Sequence, residues 1–218
     1  MDRRSPAFRW PLVVLLLVLF ALVGVGCKSA LQSFTLIYEG YDIPPEWDGL
    51  KTKKVAVVCK ALTSQDFNNA GASRALAEGI CERLKAHIKE IHLIDQQKIA
   101  KVMDEKGIDG YLEIGKELKA EKVVAIDIEA FSVLDGPTLF KGRATVCVRV
   151  YDMADKQVEW HKRPPQFIYP TFGSTPMQEL PEAEFRNQFV DNLAEQIARY
   201  FYPHDRHDDY ATDVSSNR

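Results

Sequence analysis

Two carboxylates, Asp127 and Glu129, stand two residues apart in the apolar run KVVAIDIEAFSV. In an extended strand that spacing puts both on one face. Paired carboxylates of this kind serve acid–base chemistry and glycoside hydrolysis. The next segment, GRATVCVRVYDM, puts Arg143, Thr145, Cys147, Arg149 and Tyr151 on one face of a second strand. Cross-strand pairing of arginine with carboxylate explains Asp127 and Glu129 without catalysis. A structural ion pair is therefore the expectation, and a hydrolase using Asp127, Glu129 and His161 the alternative. Near the C-terminus, HDRHDD offers His204 and His207 beside Asp205, Asp208 and Asp209. Such donors suit zinc or nickel. The segment lacks apolar residues to fix ligand geometry and supply an outer shell, so it reads as a solvated tail. His87, His92 and His161 lie far apart, and Ser29, Ser33, Ser73 and Ser132 sit in no nucleophile elbow. GASRALAEG has two glycines but not the lysine and spacing of a phosphate loop. No catalytic residue, cofactor or metal ligand is expected.

The chemistry of Cys27 is of a different kind. Arg3, Arg4 and Arg9 form a positive head, residues 12–26 carry no charge, and small residues precede the cysteine. That order describes a secretory signal peptide. A spanning helix needs about 20 apolar residues, more than this stretch supplies. VGVGC resembles the bacterial lipoprotein box, in which the cysteine is lipidated and becomes the new N-terminus. Val25 and Gly26 fit it, and Gly24 stands where the pattern prefers Leu, Val or Ile. Lipidation of Cys27 is the expectation, with plain signal cleavage and an uncleaved anchor as alternatives. Lys28, rather than aspartate, follows the cysteine, which by the same resemblance favours the outer membrane.

Residues 27–218 carry 25 basic and 30 acidic side chains, a net of −5. Nucleic-acid binding needs a basic footprint, so that class is excluded. The length suits one domain with its own core. Beyond Cys27 the thiols are Cys59, Cys81 and Cys147, an odd number that rules out a fully paired framework. Each lies in an apolar pattern, so buried free thiols are expected, with a Cys59–Cys147 bridge between neighbouring strands as the alternative.

The elements that position these groups follow from periodicity. KKVAVV is a short β-branched run of the doubly covered kind. Asn68 or Asn69 can cap a helix in which Ala72, Leu76, Ile80, Leu84 and Ile88 recur at every fourth residue. IHLID is a second strand; Asp95 then caps QQKIAKVMDEKG, which Gly107 ends. A helix over YLEIGKELKAE leads into KVVAIDIEAFSV. First strand, helix and second strand make a crossover unit of the parallel type. KVVAIDIEAFSV, GRATVCVRVYDM and QVEWHKR then form an antiparallel meander. A proline-rich loop over 164–181 precedes a final helix that starts near Pro181 and carries the stripe Phe185, Phe189, Leu193, Ile197 and Phe201. The expected fold is α/β (α+β): a mixed sheet of about five strands, an N-terminal βαβ unit, a C-terminal meander, and helices on its faces. The expected divisions are a signal peptide at 1–26, a lipid-anchored tether at 27–50, one α/β domain at 51–203 and a polar tail at 204–218.

In order and spacing, KVAVV, LIDQQKIAKVMDEKG, EIGKELKAEKVVAIDI and GRATVCVRVYDMADKQVEW resemble one shared α/β core. It is that of the curli-secretion lipoproteins, the lipoprotein activators of penicillin-binding proteins and the amino-terminal domain of TolB. The resemblance covers about residues 53–160. Asp127 departs from it, since those proteins often carry glycine there. No spare pair of long alternating strands is available for a membrane barrel, and the tether is short for a penicillin-binding-protein activator. Fold does not fix function. The resemblance implies a non-enzymatic accessory or partner-binding factor in wall synthesis, secretion or outer-membrane assembly. It would face the periplasm, held to the membrane at Cys27, with an envelope protein as partner and no small-molecule substrate. A subunit of an oligomeric curli-type export assembly is the alternative. Within the 164–181 loop, Phe167, Tyr169 and Phe172 are expected to fold back and plug the end of the core; as an exposed apolar patch they are the candidate partner patch.

Overall fold

A period of two and a period near four build this molecule, each where the side chains call for it. The computed structural model describes residues 42–62 and 70–205; Cys27 and the capping candidates Asn68 and Asn69 lie outside them. The elements are β1 (Asp42–Ile43), β2 (Lys54–Ala61), α1 (Ala70–His87), β3 (His92–Leu93), α2 (Gln96–Lys106), α3 (Tyr111–Glu117) and β4 (Lys122–Leu134). There follow β5 (Leu139–Asp152), β6 (Val158–Lys162), β7 (Phe167–Tyr169), β8 (Thr175–Pro176), α4 (Glu182–Ala198) and β9 (His204–Asp205). The main sheet runs β3-β2-β4-β5-β6, and β7 and β8 add to β5 beside it. β2 is parallel to β3 and β4, whereas β4, β5 and β6 are antiparallel. This is the expected mixed sheet, βαβ unit and meander. The small strands β7 and β8 fall where the sequence reads only as a loop.

Alternation along the strands sorts side chains between two cores. Val55 and Val57 of β2 face one side with Val124 and Ile126 of β4, under α1 and α4. Ala56, Val58 and Val123 face the other, under Ile99 of α2 and Ile114 of α3. The expected stripe is fully engaged: Phe185, Phe189, Leu193 and Ile197 of α4 and Phe201 of the 3-10 turn that follows it are all buried. Asp95 caps α2, its Oδ1 accepting from the Gln97 N–H at 2.7 Å, and Gly107 closes the helix at φ +60°. Glycine meets that left-handed conformation without steric cost. Chain upstream of β2 belongs to the same compact unit: Leu50 is fully buried, the Trp47 N–H donates to the Tyr200 carbonyl at 3.1 Å, and the Trp47 ring sits edge-on to Phe201. Among the described residues no helix is long and apolar enough to cross a membrane.

Register corrects the proposed Cys59–Cys147 bridge. β4 lies between their strands; Cys59 pairs with Ile126 and Cys147 with Asp127, so the thiols face opposite sides of the sheet. All three described cysteines are free. Burial pushes the Cys59 thiol up strongly and that of Cys81 to about 11, which disfavours thiolate at neutral pH.

A charged clasp ties α1 to the end of α4. Arg83 reaches Asp191 at 2.8 Å and also pairs with Glu195, which accepts from the Tyr202 hydroxyl at 2.9 Å and from Arg199 at 3.1 Å. Burial pushes the Glu195 carboxyl up, but hydrogen bonds from Tyr202, Arg83 and Arg199 outweigh it and leave it below its ordinary value. A carboxylate depressed in the folded state stabilises above its unfolded pKa, and that contribution fades as pH falls through the folded value. Glu195→Gln is thus expected to cost about 1–2 kcal/mol at pH 7, since a hydrogen bond to a charged group is worth about that much when partly exposed. Urea titrations at pH 7 and below pH 4 check this: the difference between parent and variant closes in acid.

Candidate functional site

Phe167 and Tyr169 leave the surface because β7 pairs with β5. Gly142, Arg143 and Ala144 oppose Tyr169, Ile168 and Phe167, and the period of two then sends alternate side chains inward. Phe167 and Tyr169 are each only 8% exposed, while Ile168 between them is 39% exposed. Tyr169 stacks on Phe189 at 6.2 Å and meets Phe185 at 5.8 Å. Gly142 makes room, since a Cβ there would lie 2.4 Å from the Phe189 ring. Of the two readings of this loop, the core one describes Phe167 and Tyr169, and the exposed one is left with Phe172 alone of the three rings.

Phe172 is the exception, at 82% exposed. Its loop is held on several sides. Lys141 Nζ donates to the Gly173 carbonyl at 2.8 Å, the Ser174 hydroxyl donates to Asp135 at 2.8 Å, and Arg143 pairs with Asp135 at 2.7 Å. Arg143 first, then Ser174, holds the Asp135 carboxyl below its usual range. Gly173 supplies the positive φ of +76° that the turn needs. The aromatic side chain is thus displayed by a fixed loop, which lowers the ordering cost of any contact it makes.

The carboxylate pair is occupied. Asp127 is buried, accepts a hydrogen bond from the Tyr111 hydroxyl and forms an ion pair with Arg149. Glu129 pairs with Arg163, outside β5. Cross-strand pairing with arginine is the expected outcome for Asp127; for Glu129 the partner differs because a register shift between Ile128 and Ala130 makes it the extra residue of a bulge. Tyr111 is the residue that sequence reasoning misses. It lies on α3, its hydroxyl pushed up by burial, with Lys60 Nζ 4.4 Å over its ring. Sixteen residues separate it from Asp127, and no motif links them. With both carboxylates engaged by cations, this cluster holds α3 to the sheet and offers no free acid–base pair.

A cavity of about 290 Å³ opens among Ile43, Pro44, Glu46, Arg199, Tyr200 and His204. Its polar groups serve one another: Lys162 pairs with Glu46 and lies 4.4 Å over the Tyr200 ring. Among the described residues no cluster of His, Cys, Asp and Glu is arranged to hold a metal. His207, Asp208 and Asp209 lie outside those residues.

No family model matches this chain, and no curated protein does. Solved structures do show a likeness in fold. The PelC dodecamer from Paraburkholderia phytofirmans is similar at TM-score 0.41 and 13% identity, over 72% of this chain and 92% of that one. Lipoprotein GNA1162 from Neisseria meningitidis is similar at TM-score 0.39 and 10% identity, over 66% and 97%. The LpoB C-terminal domain from Salmonella enterica is similar at TM-score 0.36 and 12% identity, over 56% and 85%.

Proposed function

We propose that this chain is a lipid-anchored accessory protein of the bacterial envelope, which acts by holding a protein partner rather than by catalysis. The observation that carries this reading is Phe172: one large aromatic side chain, 82% exposed, on a loop pinned by Lys141, Ser174, Asp135 and Arg143. Large aromatic side chains supply much of the energy at protein interfaces. Ile168 and Leu134, exposed on elements at the same end of the sheet, enlarge the apolar surface. Anchoring is assigned to Cys27, in the outer membrane and facing the periplasm, on the strength of the lipoprotein box and of Lys28 behind it.

Phe172→Ser separates binding from folding. An exposed loop side chain contributes within about 0.5 kcal/mol to stability, so the melting curve should not move. Affinity capture from membranes is expected to retain a partner with the parent and lose it with the variant; equal capture sinks the patch. Cys27→Ala is expected to move the protein out of the membrane fraction. An intact mass without lipid on a Cys27 start would refute the anchor.

A further inference from the structure

The two ends of the sheet differ in character. At one end lie the starts of β2 and β4, the close of β5, the last turns of α1 and α4, and Ile43, where the compact unit begins. At the other lie the close of β4, the start of β5, β7, β8 and the Phe172 loop. Among the described residues, the large apolar side chains Leu62, Leu134, Ile168 and Phe172 are exposed at this second end, against Val158 at the first.

The first end is rich in lysine instead: Lys51, Lys53 and Lys54 lead into β2, Lys89 lies between α1 and β3, and Lys119 precedes β4. Backbone contacts gather them. The His92 N–H donates to the Lys53 carbonyl at 3.0 Å, the Glu121 N–H to the Lys54 carbonyl at 2.7 Å, and Lys54 Nζ to the Leu118 carbonyl at 2.8 Å. Lys51, Lys89 and Lys119 are exposed. Lys85 in the last turn of α1, Lys122 at the start of β4 and Lys156 in the β5–β6 turn add to them. Asp48, Glu90, Glu121, Asp152, Asp155 and Glu159 offset part of this charge, Glu121 through its pair with Lys53 at 3.3 Å and Asp152 and Glu159 through their pairs with Lys122. An excess of cations remains, in a chain whose residues 27–218 carry a net of −5.

Position and charge point to the same neighbour. Ile43 follows Cys27 by 16 residues, a reach of at most about 55 Å when fully extended. β5, with 14 residues, spans about 45 Å of the sheet at roughly 3.3 Å per residue. A chain anchored at Cys27 therefore brings its lysine end to the bilayer with slack to spare, whereas its Phe172 end meets the same bilayer only with most of the connection extended. Lysines within about 8 Å of anionic headgroups are drawn to them at physiological salt.

We propose, on the anchored reading above, that the domain stands with this lysine end against the anionic headgroups of the anchoring membrane and presents Phe172 away from it. The test uses the lipidated protein in vesicles of phosphatidylethanolamine with phosphatidylglycerol, and in vesicles of phosphatidylcholine alone. A fluorescent amino acid is placed at His92 or at Phe172, and a spin-labelled headgroup serves as quencher. Quenching at position 92 should exceed that at 172 several-fold in the anionic vesicles, and should fall in high salt and in the K51E/K89E/K119E variant. Quenching at 172 equal to that at 92 overturns the orientation, as does quenching at 92 that is indifferent to lipid charge and to the variant. Intact mass of the same sample keeps the two readings apart: a lipidated protein quenched at 172 refutes the orientation alone, and a protein without lipid refutes the anchor.

Discussion

Phe189→Ala is expected to unfold at markedly lower denaturant, with a loss of about 3–5 kcal/mol, the usual cost of removing a buried aromatic ring. The position joins three elements. Phe189 is 1% exposed, stacks on Phe131 of β4 at 5.2 Å and on Tyr169 of β7 at 6.2 Å, and lies over the bare backbone of Gly142. Truncation leaves a void bounded by a glycine, which has no side chain to fill it. A urea midpoint within error of the parent would mean that α4 is not docked on the sheet.

Asp127→Ala should be nearly as costly, at about 3 kcal/mol. Breaking a buried ion pair strands the surviving charge, a loss of about 3–5 kcal/mol when both partners are buried. The lower end applies because the Arg149 side chain is 34% exposed, against 4% for Asp127. Asp127→Asn keeps an acceptor for the Tyr111 hydroxyl and should lose clearly less. Thermal melts of the two variants read the difference. A catalytic Asp127 would show the opposite pattern, with stability held and an activity lost.

These two cases mark how far the sequence is legible. The stripe containing Phe189 is readable because one helix repeats its own period, and α4 with the 3-10 turn after it buries every member. Asp95 and Gly107 are readable for the same reason, since caps act over three or four residues. The Tyr111–Asp127 contact depends on how α3 crosses the sheet, and nothing local encodes it. The strand that carries Phe167 and Tyr169 is illegible because β7 has only three residues, too few for an alternation to stand out among the prolines around it. Phe172 stays outside because its loop passes beyond the last β7 pairing before β8 begins. Glu129 is expected beside a β5 arginine, and the extra residue sends it to Arg163.

That extra residue also acts on the whole strand as a phase shifter. Before it, the even-numbered residues Val124, Ile126 and Ile128 face α4's core; after it, the odd-numbered Phe131 and Val133 do. Left in unbroken alternation, the same residues would turn Phe131 and Val133 to solvent and bring Ser132 and Leu134 inward, as a one-residue slip does in any strand with one buried face. A one-residue deletion at Glu129 should therefore remove the bulge and leave the buried face intact, whereas one between Val124 and Ile128, where alternation is regular, should be rejected. The parity of this strand is held by a single irregular residue.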